Sequence, residues 1–317
     1  MAAPHDWVTG FLDRAAGGLP LDRLRDVSPG LDASGVLAVL DDPRLGSHGV
    51  EALSELLHPT DSMYFDAIFG AFHGQVAIRS WLVPTMRDIS FIEFVPTAPA
   101  QVFGGDAGTS SVHEWQMWAT IGDDRIPLPR GVSTRHHRDG WVTWNADVYD
   151  TAPMRVPPPD AEIEAAPLPD PPRITWDSTP PTPPPRSAAL DAWLATPPDA
   201  RGPLDHADLH TIMVTPELGL DPEVVVPLFH PTDSHLVEPG GEYVGCDAIG
   251  SHLDRRRGRR TAMTLETIGP PLFNGESTAF EWVARTGSDP EQAVRGTSVC
   301  RYADGYVVHA ADYYDRA

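Results

Sequence analysis

His58-Pro59-Thr60-Asp61-Ser62 and His230-Pro231-Thr232-Asp233-Ser234 are one pentapeptide written twice in the same chain. A repeated unit carries its own core, so an internal repeat decides the fold before any local pattern does. The flanks of the two pentapeptides are collinear. Upstream, Pro43-Arg44-Leu45-Gly46 matches Pro216-Glu217-Leu218-Gly219, and Pro20-Leu21-Asp22 matches Pro203-Leu204-Asp205. Downstream, Gly74 with Ala77-Ile78 matches Gly245 with Ala248-Ile249, and Ser80-Trp81-Leu82 matches Ser251-His252-Leu253. Glu114-Trp115 then matches Glu281-Trp282, Gly131 and Ser133 match Gly296 and Ser298, and Asp139-Gly140 matches Asp304-Gly305. Last, Asp147 with Tyr149-Asp150 matches Asp312 with Tyr314-Asp315. The chain reads as two diverged copies of one domain.

Copy one is expected over residues 1–152 and copy two over 187–317. Between them, residues 153–186 form a proline-rich linker. Pro157-Pro158-Pro159 and Pro183-Pro184-Pro185 favour extended polyproline conformation there, with no long helix and no central strand. The full length of 317 residues suits two domains of ordinary size.

Each copy presents its elements in the same order. Helical patterns come first, from Trp7 to Leu57 and from Leu190 to Phe229. A short helix follows the pentapeptide, around Val76–Leu82 and Asp247–Leu253. Alternating segments come next: Ser90–Val95, His113–Thr120, Gly131–Arg138 and Trp141–Tyr149. Asp139-Gly140 is a hairpin turn between the last two. Helices followed by an antiparallel meander give an α+β class.

The net charge of −22 argues against a nucleic-acid surface, which is basic. Two cysteines, Cys246 and Cys300, are too few for a disulfide framework. The first residues lack the basic and apolar regions of a signal peptide, and no apolar run approaches the ~20 residues of a membrane span. A soluble cytoplasmic protein is expected. No metal-ligand spacing, nucleotide loop or serine-nucleophile elbow appears, so neither a metal nor a cofactor is expected. Arg255-Arg256-Arg257 with Arg259-Arg260 is the single basic run. It reads as a solvated helix end or as an anion site.

The helix set, the Gly-x-x-Ala-Ile helix start and the sheet that follows resemble the nuclear transport factor 2-like superfamily, and within it the SnoaL-like branch. The resemblance covers both copies. It implies two tandem cone-shaped α+β barrels, each a curved antiparallel sheet wrapped on N-terminal helices around an apolar pocket. Tandem copies are similar to polyether epoxide hydrolase/cyclases, where an acidic pair stands on the early strand and the next one. The residues at those places are Asp66 and Glu93 in copy one, and Glu238 and Glu266 in copy two.

Two carboxylates converging in an apolar pocket divide acid and base roles, because burial and mutual repulsion raise one pKa. Tyr64 and His113 are further catalytic candidates. Glu114, Arg135, Asp147 and Tyr149 are candidate substrate contacts beside Glu238 and Glu266. Several have a structural reading too: Glu114 and Glu281 as residues satisfying a backbone or arginine group, His113 as a surface or satisfied strand histidine, and Tyr149 and Tyr314 as packing at the cone mouth or a domain interface. The pentapeptides read chiefly as turns, with the histidine bonded locally.

Three functions stay open. One is an acid–base enzyme on an apolar, polyketide-like or aromatic metabolite, with epoxide opening or cyclisation as its sharp form. The second is a dehydratase, isomerase or carbon–carbon lyase of a phenolic substrate. The third is a non-catalytic binding or assembly protein. The expected partner is a small apolar molecule, with neither nucleic acid nor membrane. Self-association and intramolecular pairing of the domains are both open. Copy two has Leu236 for Tyr64 and Phe280 for His113, which makes copy one the better candidate for chemistry.

Overall fold

A computed structural model describes residues 36–37, 53–89, 91–105, 108–155, 181–257, 263–286 and 293–316. The chain divides into two compact units, Met1–Ile174 and Thr175–Ala317. Most of the expected linker, residues 156–180, lies outside the described residues, and so does most of the helical stretch expected from Trp7 to Leu57.

The first unit begins its sheet immediately after the pentapeptide. Its strands are β1 (Met63–Asp66), β2 (Gly70–His73), β3 (Ile92–Pro96), β4 (Gln101–Gly105), β5 (Gly108–Ile121), β6 (Asp124–Arg138) and β7 (Trp141–Tyr149), with a helix at Gln75–Asp88 between β2 and β3. The order across the sheet is β2-β1-β7-β6-β5-β3, and β4 also pairs with β5. β1 runs parallel to β7, and the other pairs are antiparallel. The sheet is therefore mixed, where a wholly antiparallel one was expected. A parallel pair needs a long connection, and the whole of β2 to β6 supplies it. β1 and β2 are four residues each, too short to register as alternation in the sequence.

Asp139 and Gly140 have φ of 52° and 75°, both left-handed, as the two central residues of a tight hairpin require. Asp304 and Gly305 repeat this at 51° and 79°.

The second unit shows the expected helices. Ala188–Ala195 is capped by Ser187, whose Oγ accepts the Leu190 N–H at 2.9 Å. His206–Val214 is capped by Asp205, which accepts the Ala207 N–H at 2.8 Å. One-turn helices follow at Pro216–Gly219 and Pro222–Val225, each with proline in its first turn. Its strands are β8 (His235–Glu238), β9 (Gly241–Val244), β10 (Met263–Phe273), β11 (Ser277–Thr286), β12 (Ala293–Ala303) and β13 (Tyr306–Tyr314), with a helix at Cys246–Arg257. The order is β10-β11-β12-β13-β8-β9, again with one parallel pair, β8 on β13. Leu190, Leu209 and Ile212 of the helices are fully buried in a core shared with Leu228, Ile249 and Val307.

One packing arrangement recurs in both sheets. Trp115 lies directly across from Gly131, and Trp282 across from Gly296. Each indole N–H donates to a serine hydroxyl two residues past the glycine: Trp115 to Ser133 and Trp282 to Ser298, both at 2.9 Å. A methyl group on either glycine would overlap the indole ring. These contacts account for the matched Trp, Gly and Ser positions in the two halves of the sequence. Gly131→Ala is expected to destabilise the first unit by about 1–3 kcal/mol through overpacking. Urea unfolding followed by tryptophan fluorescence measures it, and an unchanged midpoint would contradict this account.

Candidate functional site

Successive side chains of a strand point to opposite faces, so register decides which residues share a face. Tyr64 and Asp66 of β1 pair with Asn145 and Asp147 of β7. Asn145, Asp147 and Tyr149 pair in turn with Arg135, Ser133 and Gly131 of β6. Arg135, Ser133 and Gly131 pair with Ser111, His113 and Trp115 of β5. One face of the sheet thus gathers Tyr64, Asp66, His113, Arg135, Asp147 and Tyr149.

Two carboxylates on neighbouring strands form the centre. Each receives a tyrosine from the other strand. Tyr64 of β1 donates to Oδ2 of Asp147 on β7. Tyr149 of β7 donates to Asp66 of β1, at 3.2 Å from both oxygens. Asp66 Oδ1 also accepts the backbone N–H of Ile68 at 2.8 Å and of Phe69 at 3.0 Å. Asp147 Oδ1 accepts the amide of Asn145 at 3.1 Å.

Asp66 is 8 % exposed. Burial, and then the neighbouring charge of Asp147, raise its pKa to about 7, against the pull of the two backbone N–H groups and Tyr149. Burial also raises both phenols well above their ordinary value, with Asp147 the next cause for Tyr64 and Asp66 for Tyr149. Both tyrosines remain donors at neutral pH. His113 is pushed down to about 4, by burial and then by the charge of Arg135, so it is a neutral imidazole.

Trp81, from the helix Gln75–Asp88, closes one side of this cluster. Its ring meets Tyr64 edge-on at 5.4 Å between centroids and stacks on Phe72 at 4.2 Å. The sequence reading did not pick out Trp81 or Asn145. Counting by twos along β7 back from Tyr149 reaches Asn145, and that signal was available.

The other expected carboxylates stand apart. Glu93 is not the partner of Asp66. It is exposed on β3 and bonded to Arg125 at 2.7 Å, with Arg125 lying over Trp118. Glu114 is buried, but it alternates to the face opposite His113 and Trp115. Its counterpart Glu281 forms a buried ion pair with Arg295. Glu266 is half-exposed and paired with Arg285.

In the second unit the equivalent face lines a cavity of about 520 Å³. Leu236, Phe280, Trp282 and Ala310 contribute to its wall, together with Glu238 and Asp312. Glu238 receives His252 at 2.8 Å and forms an ion pair with Arg256. Asp312 accepts the Ser298 hydroxyl at 2.6 Å. Leu236, Phe280, Cys300 and Ala310 stand where the first unit has Tyr64, His113, Arg135 and Asn145. The acidic positions persist while the polar groups around them are replaced. Among the described residues, no group of three or more histidine, cysteine, aspartate or glutamate side chains is placed to hold a metal ion. No described helix is long and apolar enough to cross a membrane.

No family model matches the chain. No curated protein matches it either. Solved structures that resemble it include TerC co-crystallised with polyporic acid, at 17 % identity and a TM-score of 0.30, over 38 % of this chain and 91 % of that one. A proposed isomerase of the SnoaL-like family from Agrobacterium tumefaciens matches at 19 % identity and a TM-score of 0.29, over 33 % and 97 %. A proposed polyketide cyclase from Sinorhizobium meliloti matches at 19 % identity and a TM-score of 0.28, over 35 % and 92 %.

Proposed function

We propose that the protein is an acid–base enzyme of isomerase or cyclase type, working without a cofactor, whose active site is the Asp66–Asp147 pair of the first unit. On this reading both units are cones of the nuclear transport factor 2-like kind, descended from one domain, with boundaries near residues 152 and 187. The substrate is an apolar, polyketide-like or aromatic metabolite. A single observation carries the reading. Two aspartates occupy paired positions on adjacent parallel strands, each bonded to a tyrosine of the other strand, and one of them holds its proton up to about pH 7.

The division of labour follows from that asymmetry. Protonated Asp66 gives its proton to a substrate oxygen as the C–O bond of an epoxide opens, or as a carbonyl enolises. The Asp147 carboxylate takes a proton from the attacking hydroxyl, or from the carbon acid. One proton leaves Asp66 and one arrives at Asp147, so the pair needs only proton exchange to reset. Tyr64 and Tyr149 hold the two carboxyls in register and remain able to donate to substrate oxygen. The paired carboxyls support the epoxide or cyclase form, and His113 on the same face, a neutral imidazole, supports the dehydratase, isomerase or lyase form as the second reading. The second unit suits a binding role, because the charge of Glu238 is already met by His252 and Arg256.

Two measurements test this. Asp66 binds its proton more tightly folded than unfolded. That contribution to stability is complete below the ordinary aspartate pKa of about 3.9 and is lost as pH rises through about 7. Asparagine keeps an acceptor for Ile68 and Phe69 and carries no charge. Wild-type Tm minus Asp66→Asn Tm should therefore fall between about pH 4 and about pH 8, with the variant more stable at the upper end. A difference independent of pH would contradict the buried, proton-holding carboxyl.

The second measurement is turnover on a panel of polyketide-like epoxides and ketones, with products identified by mass spectrometry. Asp66→Asn and Asp147→Asn should each lower kcat/KM about 10²–10⁴-fold, and Glu238→Gln should have a smaller effect. Wild-type rates in Asp66→Asn, or silence in Glu238→Gln alone, would sink the assignment.

A further inference from the structure

We infer that the substrate of the first unit is a carboxylic acid, and that Arg135 is the residue that receives its carboxylate. The inference rests on the acid–base reading of that site for the reaction, though not for the binding.

Arg135 lies on the same sheet face as the two aspartates and is 6 % exposed. Its Nε and Nη1 are buried without a hydrogen-bond partner. Among the described residues no carboxylate is paired with it. A buried guanidinium with neither an ion-pair partner nor its hydrogen bonds met is among the less favourable arrangements in a fold. The chain does pair a buried arginine where the role is structural: Arg295, 8 % exposed, bonds to Glu281. The second unit avoids the problem by placing Cys300 at the position equivalent to Arg135.

No neighbouring side chain among the described residues is bonded to it. Asp147 is engaged by Tyr64 and by the amide of Asn145, and Asp66 by Tyr149 and two backbone N–H groups. Asn145, directly across from Arg135, has its Oδ1 open. That oxygen is one neutral acceptor, whereas a guanidinium presents five donors and a full charge. Ser111 on the other side bonds to His137 at 3.0 Å. The missing partner is an anion of planar, two-oxygen shape, which an arginine fork grips at two points. A carboxylate on an apolar body meets this need. With the acid held at Arg135, the rest of the molecule extends along the face toward Asp66 and Asp147.

The test is equilibrium binding of 2-naphthoate against its neutral isostere 2-naphthamide, measured by calorimetry on the full chain. Wild type should prefer naphthoate by about tenfold or more, as a charged hydrogen-bonded pair does over a neutral one. Arg135→Met should lose the preference while its Tm holds or rises, since an uncompensated charge has gone. Arg135→Lys should keep the preference with weaker naphthoate binding, because the charge stays and the fork does not. Asp66→Asn should keep the full preference, which separates this inference from the acid–base one. Equal affinity of wild type for both probes overturns the inference. So does a preference that survives in Arg135→Met, or a Tm loss there that Arg135→Lys restores without restoring the preference.

Discussion

The carbonyl of Val142 accepts the backbone N–H of His58 at 2.9 Å, and the register of the first unit's site follows from that bond. It ties the pentapeptide to the start of β7. The turn itself is held by the histidine, whose Nδ1 accepts the N–H of Asp61 at 2.8 Å and of Thr60 at 3.3 Å. From Met63 onward the chain is in parallel register with β7, and Asp66 lies beside Asp147. A slip of one residue would turn Phe65 to the site and Asp66 away from it. The second unit is pinned in the same way, by His230 to the carbonyl of Val307 at 3.0 Å and by two N–H bonds to the His230 ring.

Once register is set, the tryptophan over glycine fixes how closely β5 and β6 approach on the inner face. Its N–H holds Ser133 or Ser298, next to the acidic position of β7 or β13. In the second unit that serine turns its own hydroxyl to Asp312, so the motif and the carboxylate are joined. In the first unit Asp147 is served by Tyr64 and Asn145. One scaffold therefore supports two interiors. One is polar, with a carboxyl whose pKa is raised to about 7 and an arginine without an ion-pair partner among the described residues. The other is largely apolar, with Glu238 in an ion pair with Arg256 and Asp312 bonded to the Ser298 hydroxyl.

The acidic partner of Asp66 is where sequence and structure part. Alternation correctly puts Glu93 on the face opposite Ile92 and Phe94. Yet β3 is at the edge of its sheet, and Phe94 is the residue on the Trp115 face, edge-on to that ring at 5.2 Å. The face left to Glu93 is water, where Arg125 meets it. The same holds for Glu266, since its neighbour Leu265 lines the cavity. A carboxylate between apolar residues marks the polar side of a strand, and only the neighbouring layer decides whether that side is a pocket or solvent.

The sequence by itself determined the repeated order of elements, the α+β class, the left-handed hairpin at Asp139-Gly140 and the matched Trp, Gly and Ser positions. It also made Asp147 and Tyr149 visible as residues kept in both halves. These are properties of short stretches: turn geometry, period and identity at a fixed spacing. The tertiary structure decided that β1 joins β7 in parallel, that each tyrosine serves the aspartate of the other strand, and that Glu93 is outside. It also decided that Arg135 is buried beside carboxylates that already have other donors. Residues 83 apart in the chain make the tyrosine–aspartate bonds. Such pairings depend on which strands become neighbours, and the proton on Asp66 depends on the burial and charge that those neighbours impose.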